Sequence, residues 1–523
     1  MLVNHTAPGT YVMYPFVTED AFTLDKLNML AQYHVVELNM DIAHKDFPLI
    51  DDLPVWEYLR RANPQILLFA YVPGMYWWTI KFNATKSPII ASTQSVITQG
   101  NLWVHDYSGG RIEPIPGHGV LALNRPSARD ALVSCALQIE KTRVFDGIRW
   151  DVTPSTPHYW QLHDADLNAN GIPDVEEFDG YGEFNNQMKN GMEAVFAEVN
   201  TSTSLLQCAN PGHLEDPVSY SQGIAYANVL EGTMSENFPT ELWYGPDNQK
   251  LPPRAYAAQH FFNRLTQWED ERGFTVFTVV AASLLNDGYF SKYIRNDAHA
   301  HRFVAGSAAV AGGYVMIGPG LMTPNRCDEL WVENKKSVYA PGEKARGLGW
   351  LGHQRMRRSI DDSLHTALFD NGFVVVNLSR EFRKIIIDQH YGVSSKKIGR
   401  ISGIYDPLVN DGREISGEEA ITIPPYDARF FWVEPQEEDD DIPPNEFENL
   451  WGAIRNLEVK VEDINRTVFE LNSRMDKQDE LILATTARIN EKLNDFDQKI
   501  QKNSIALQRI TDAIEKFVSS WDF

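Results

Sequence analysis

The stretch Phe145-Asp146-Gly147-Ile148-Arg149-Trp150-Asp151, running into Val152-Thr153-Pro154, carries the first statement of fold and chemistry in this chain. Its apolar and small residues predict a short strand over 147–152. On a strand, alternate side chains share a face, so Arg149 and Asp151 point one way and Ile148 and Trp150 the other. A buried strand that turns an Arg and an Asp inward is costly unless the charges pair or do chemistry. In a parallel α/β barrel, the carboxyl end of a strand is where reactive groups sit. Asp151 stands at such an end.

Outward from this strand, residues 1–366 alternate short apolar runs with amphipathic stretches, the pattern of repeated βα units. Eight strands are predicted, at 11–16, 34–40, 66–72, 147–152, 205–209, 227–230, 274–280 and 314–318. Helix-like segments at 23–33, 127–142 and 254–271 lie between them, so the expected fold is an α/β (β/α)8 TIM barrel. A ninth apolar run, at 120–124, is assigned to a long insertion after the third strand. Residues 367–434 lose the helical texture and predict a small antiparallel β-sandwich domain. An acidic, proline-bearing linker follows at 435–446. From 447 to 523 apolar residues recur in steps of three and four, beginning Phe447, Leu450, Ile454, Leu457 and Val461 and broken by one stutter at Leu493. That period predicts a coiled-coil stalk on the order of 110 Å long. Its mixture of Ile, Leu and Val at the seam favours a homotrimer over a dimer.

Composition narrows the function. A net charge of −24 argues against nucleic acid or an anionic membrane as partner. No apolar stretch is long and uninterrupted enough to span a bilayer. Three cysteines, Cys135, Cys208 and Cys327, allow at most one internal disulfide and show no metal-site spacing. Residues 1–6 carry neither the basic start nor the apolar core of a signal peptide. There is no phosphate-cradling glycine loop, serine-hydrolase elbow or zinc-protease helix motif.

Residues 166–177, Asp-Leu-Asn-Ala-Asn-Gly-Ile-Pro-Asp-Val-Glu-Glu, satisfy every position of the calcium-loop pattern. Side-chain oxygens of Asp166, Asn168 and Asn170 would converge on Ca2+. Gly171 would make the sharp turn, the Ile172 carbonyl and Asp174 would add ligands, and Glu177 would close the site. Without flanking helices on both sides this reads as a structural staple; the plainer reading is a polar turn ahead of a helix.

Glycoside hydrolysis needs two carboxyls flanking the scissile bond. Asn228-Val229-Leu230-Glu231-Gly232 places Glu231 after the run assigned to the sixth strand, so Asp151 and Glu231 are expected to face each other across the barrel mouth. Arg149, one layer deeper, would hold Asp151 ionised. Glu37, Asn39 and Asp41 at the second strand, Asn210 after the fifth, Glu236 beyond Glu231, and Asn286 with Asp287 after the seventh are secondary candidates for orienting a substrate. Tyr76, Trp77 and Trp78 after the third strand, Trp103, His105 and Tyr107 in the insertion, Trp160, and Trp243 with Tyr244 supply aromatic faces. Such faces stack on sugar rings or simply pack loops.

The Phe145–Asp151 segment resembles the fourth-strand motif of α-amylase-like glycoside hydrolases, in which a Gly-x-Arg-x-Asp run carries the nucleophile. Leu123-Asn124-Arg125-Pro126-Ser127-Ala128-Arg129 is similar to the segment that precedes that strand, and residues 370–434 to the β domain that follows such barrels. The arrangement as a whole, with its loop after the fourth strand, is similar to hypothetical glycosyl hydrolase barrels of bacteria and archaea. The resemblance implies Asp151 as nucleophile and Arg149 as its partner. Two departures stand out: Asn210 ends the fifth strand where an acid is usual, and no Asn-His-Asp follows the seventh. An acid on the sixth strand is more similar to α-galactosidase-type barrels.

Together these readings predict a glycoside-hydrolase-like barrel acting on or binding surface or extracellular polysaccharide, displayed on an oligomeric stalk at a cell or virion surface. The alternative is a catalytically inactive structural or adhesive protein, such as a surface-layer, appendage or viral fibre subunit.

Overall fold

A computed structural model describes residues 7–14, 22–44, 49–50, 52–79, 87–114, 116–153, 164–177, 182–210, 229–235, 273–279, 281–317, 327–330, 349–391 and 397–433, with isolated positions between 226 and 266. The chain divides into two units, Met1–Pro435 and Gln436–Phe523. The expected coiled coil and the acidic linker lie outside the described residues, as does most of the helix expected at 254–271, whose described positions 258–259, 262–263 and 265–266 are helical.

Eight parallel strands close into a barrel: Gly9–Tyr14, Val35–Leu38, Leu67–Pro73, Gly147–Asp151, Leu206–Ala209, Gly232–Ser235, Phe274–Val279 and Tyr314–Ile317. Each pairs with its sequence neighbours among the eight, and Gly9 pairs with Tyr314 to shut the ring. Strands buried on both faces need continuous apolar runs; the third, Leu-Leu-Phe-Ala-Tyr-Val-Pro, is such a run. Inward-facing Tyr11, Phe69, Cys208, Met234, Phe274 and Tyr314 fill the lumen, so the barrel is a packed core. A larger apolar core lies between the strands and the helices Pro126–Thr142 and Gly182–Ser202.

The sixth strand departs from expectation. It is Gly232–Ser235, not 227–230. Val229 and Leu230 instead make a turn, both bonding back to the Tyr226 carbonyl, and Leu230 is buried in the outer core. The described end of the apolar run that resembled a strand, Val229 and Leu230, is the turn that enters it. Gly-Thr-Met-Ser, short and half polar, has no apolar signature of its own.

The insertion after the third strand holds two small hairpin-like pairings. Tyr76–Trp78 pairs with His118–Val120, and His105–Asp106 pairs with Ala165–Asp166 from the loop after the fourth strand. Gly74 and Met75 bond through their N–H groups to the carbonyls of Asp151 and Val152. The insertion is thereby tied to the backbone at the end of the fourth strand.

Beyond the barrel, a six-stranded antiparallel sheet runs in the order Gln354–Ser359, Leu364–Phe369, Gly372–Asn377, Asp427–Val433, Ile398–Arg400, Glu414–Ile415. Arg383–Ile386 pairs with Ala420–Ile423 as a second, two-stranded sheet, and Phe373, Ile385, Ile421, Ile423 and Phe431 pack together in a shared core. The first antiparallel strand falls inside the stretch assigned by sequence to the barrel. The helix Asp297–Ala311 joins the two parts: its residues from His299 onward are buried, and it packs on both the barrel strands and the sheet. Gly306 lets it approach closely, since a Cβ there would overlap the Ala428 Cβ. Arg302 of this helix, fully buried, pairs with Asp427 at 2.7 Å and Asp406 at 2.5 Å.

No described helix is long and apolar enough to cross a membrane. The three cysteines are free and buried.

Candidate functional site

The fourth strand turns Arg149 and Asp151 to the barrel axis while Trp150 points outward, its indole N–H donating to Gln207 at 3.0 Å. Arg149 is buried at 1% exposure, and an Arg so placed must be compensated. Two carboxylates do so. Its Nη1 lies 2.5 Å from Asp151 Oδ1, and its Nε lies 3.6 Å from Glu37 Oε2. Glu37, fully buried on the second strand, also accepts a hydrogen bond from the Tyr11 hydroxyl at 2.7 Å. The guanidinium sits over the Tyr71 ring at 5.6 Å, a cation–π contact.

Asp151 stands at the last position of the strand with its side chain 17% exposed. Its Oδ2 accepts from the Tyr71 hydroxyl at 2.8 Å and its Oδ1 from the Asn210 amide at 3.1 Å. Burial pushes the Asp151 carboxyl up, but the Arg149 guanidinium and the hydrogen bonds from Tyr71, Asn210 and the Val152 backbone outweigh it. The group is left below the ordinary carboxylate range. Burial and the neighbouring Asp151 charge raise the Tyr71 phenol, so Tyr71 remains a donor. The result is a fixed, ionised carboxylate at the carboxyl end of the barrel.

The backbone just beyond it is strained. Val152 has φ +51, in the left-handed region that β-branched residues avoid. Thr153 then returns to the barrel, its N–H and hydroxyl both donating to the Asn210 carbonyl at 3.0 and 2.9 Å. Strain of this kind persists where surrounding contacts enforce it, and it is common at functional sites.

Asn210 therefore joins Asp151, as does Arg149. Glu231 does not. It precedes the sixth strand, and its Oε2 accepts from the backbone N–H of Gln207 at 2.8 Å, near the start of the fifth. Gly147, the first residue of the fourth strand, pairs with Leu206 at that same rim. Glu231 thus sits at the amino end of the barrel and Asp151 at the carboxyl end. The expected facing pair is not formed, because the sixth strand begins where it was expected to have ended. Burial raises the Glu231 carboxyl.

The other candidates divide. Asn39 caps the short 3-10 helix Met40–Ala43, accepting from Asp41 N at 3.0 Å, so it orients backbone rather than substrate. Asp287 accepts from the N–H groups of Tyr289 and Phe290, a capping role. Trp77 is fully buried and packs edge-on to Trp78, at 5.5 Å between ring centroids. Trp78 is half-buried and lies 6.4 Å from the Tyr71 ring, which places an aromatic face next to the Asp151 partner. Trp103 is buried beneath Arg111. Trp160, Trp243, Tyr244 and Glu236 lie outside the described residues. Tyr71, within the run expected as the third strand and not among the expected site residues, also meets Asp151. Its signal was a polar hydroxyl two residues before the end of an otherwise apolar strand.

In the 166–177 loop, Asp166 accepts from Asn170 N and Gly171 N, and Asp174 Oδ2 accepts from Leu167 N. Glu177 accepts from the side-chain amides of Asn168 and Asn170. Burial, with the charges of Asp166 and Glu177, raises the Asp174 carboxyl to about 6. Among the described residues no three His, Cys, Asp or Glu side chains are gathered as a ready metal cluster.

No protein-family model matches the chain, and no curated protein matches it. Solved structures similar to it include trehalose-6-phosphate hydrolase of Bacillus licheniformis, at 9% identity over 81% of this chain and 99% of that one, with a TM-score of 0.45. Isomaltulose synthase from Protaminobacter rubrum is similar at 9% identity, 82% and 98% coverage and TM-score 0.46. An α-amylase from Geobacillus thermoleovorans, complexed with acarbose, is similar at 11% identity, 82% and 98% coverage and TM-score 0.44. The barrel assignment rests on strand order and register, and the site on its own geometry.

Proposed function

We propose that this protein is a carbohydrate-directed, glycoside-hydrolase-type barrel whose reactive group is Asp151. The observation that carries the reading is an ionised carboxylate, partly open at the carboxyl end of the fourth strand and held by Arg149, Tyr71 and Asn210. A retaining hydrolase needs such a group: ionised at working pH, fixed in direction, and able to bond to an anomeric carbon before water releases the sugar. Arg149 keeps the proton off. The Tyr71 and Asn210 hydrogen bonds fix the carboxylate plane. The half-buried face of Trp78 offers a stacking surface nearby.

Hydrolysis also needs a proton donor, and Glu231 is at the wrong end of the barrel to serve. Glu236 is the residue that follows Ser235, the last of the sixth strand, and we assign it the acid role on that sequence position. One observation favours a second reading, binding without cleavage: the fifth strand presents the amide of Asn210, not an acid, to Asp151.

The heptads of 447–523 support a homo-oligomer, with a trimer preferred, and several heads on one stalk would bind a repetitive surface or extracellular polysaccharide multivalently. Incubation of the full chain with a panel of α- and β-linked polysaccharides, scored for new reducing ends and for co-sedimentation, separates the readings. Release of reducing ends supports hydrolysis. Co-sedimentation without release supports the binding reading, and neither outcome with any glycan would overturn the carbohydrate assignment.

A further inference from the structure

The loop at 166–177 does not stand alone on the surface. Ala165 and Asp166 form an antiparallel pair with His105 and Asp106 of the insertion, and Tyr107 N bonds to the Asp164 carbonyl at 3.1 Å. Ala165 and Leu167 are buried in the outer core, which fixes the first ligand position of the loop. Gly171 takes φ +83 at the sixth position, a turn for which a side chain would be strained. Asn170 Oδ1 accepts from Ile172 N, closing the turn.

Asp174 is the feature that asks for a ligand. It is 1% exposed, its Oδ2 is bonded to Leu167 N inside the loop, and its Oδ1 has no hydrogen-bond partner among the described residues. A buried carboxylate oxygen without a partner is costly, and the bond from Leu167 N to Oδ2 holds this side chain against the residue that follows Asp166. Glu177, exposed, bridges the side-chain amides of Asn168 and Asn170. A cation would take over from those amides as its positive partner, and rotation of the two amide groups would turn their oxygens inward. The donors are then all oxygens, half of them neutral, which suits a hard cation of flexible coordination and not a soft metal.

We propose that residues 166–177 bind Ca2+ through Asp166, Asn168, Asn170, the Ile172 carbonyl, Asp174 and Glu177, and that the bound ion clasps the insertion to the loop that follows Asp151. The clasp runs through the His105–Asp166 pairing into the insertion, and from there through Gly74 and Met75 to the backbone of Asp151 and Val152. It is independent of which sugar, if any, the barrel binds.

The test uses the full chain, stripped with a chelator and titrated with CaCl2 by calorimetry, alongside hydrogen exchange read by mass spectrometry. One Ca2+ per chain is expected, with Mg2+ at least about tenfold weaker. Asp174→Asn and Glu177→Gln should each weaken binding about tenfold or more; Glu177 is exposed, so its variant folds even if the other does not. Calcium should slow exchange both in 164–177 and in the partnered segment 102–112. Absence of binding at about 10 mM Ca2+, or unchanged affinity in Glu177→Gln, overturns the site. Protection confined to 164–177 overturns the clasp.

Discussion

The side-chain amide of Asn210 donates to Asp151 Oδ1 at 3.1 Å, so the end of the fifth strand supports the carboxylate at the end of the fourth instead of offering a second acid. Asn210→Asp would set two carboxylates in contact, and like charges so close cannot both ionise easily. The acidic limb of the glycan-cleavage pH profile should move up by about one pH unit or more. An unmoved limb would show that Asn210 does not touch Asp151 in the working protein.

Glu231 and Glu236 should behave oppositely. Glu231→Gln removes a charged acceptor for Gln207 N at the far rim and should cost about 1 kcal/mol of stability with turnover unchanged. Glu236→Gln should lower kcat by about 10²- to 10⁴-fold, the usual contribution of a general acid. Parallel kcat and denaturation measurements on the two variants decide the matter; a lost kcat in Glu231→Gln would reverse the assignment.

Arg149 is held between Glu37 and Asp151 with almost no exposure. Arg149→Met should destabilise the protein by about 3–5 kcal/mol, because it leaves two buried carboxylates uncompensated. Adding Glu37→Gln should recover about 1–2 kcal/mol of that loss, a coupling that a double-mutant cycle reads directly. Strict additivity would mean the 3.6 Å contact carries no energy.

Acid should weaken the fold through two buried histidines. His301 and His365 are lowered by burial to about 4. Between their unfolded value near 6.5 and this folded value, the unfolded chain binds protons that the folded chain does not. Stability therefore falls as pH drops from about 6.5 toward 4 and levels off below. His365→Asn should lose about 2 kcal/mol less than the wild type between pH 7 and 4.5 by urea denaturation. Equal losses in both proteins would place the acid sensitivity elsewhere.

Much of this was legible in the sequence for definite physical reasons. Seven of the barrel strands carry the apolar residues that parallel strands buried on both faces need, and each lies within a few residues of its expected place. The Arg149–Asp151 pairing follows from strand alternation alone. The sixth strand failed because Gly232–Ser235 is short and half polar, while the apolar residues before it make a buried turn. That shift of a few residues moved Glu231 from one rim of the barrel to the other. Tyr71 and Trp77 show the same limit from the other side. Nothing in a run of aromatics says which hydroxyl will meet a carboxylate and which indole will be sealed in the core.

Asp151→Asn tests the role of Asp151 most directly. The amide retains an oxygen for the Tyr71 hydrogen bond and the shape of the site, while removing the nucleophilic charge. On whichever glycan the wild type cleaves fastest, the variant should lose at least about 10³-fold in rate while unfolding cooperatively like the parent. Cleavage at the wild-type rate by folded Asp151→Asn would contradict the assignment of Asp151 as the reactive group.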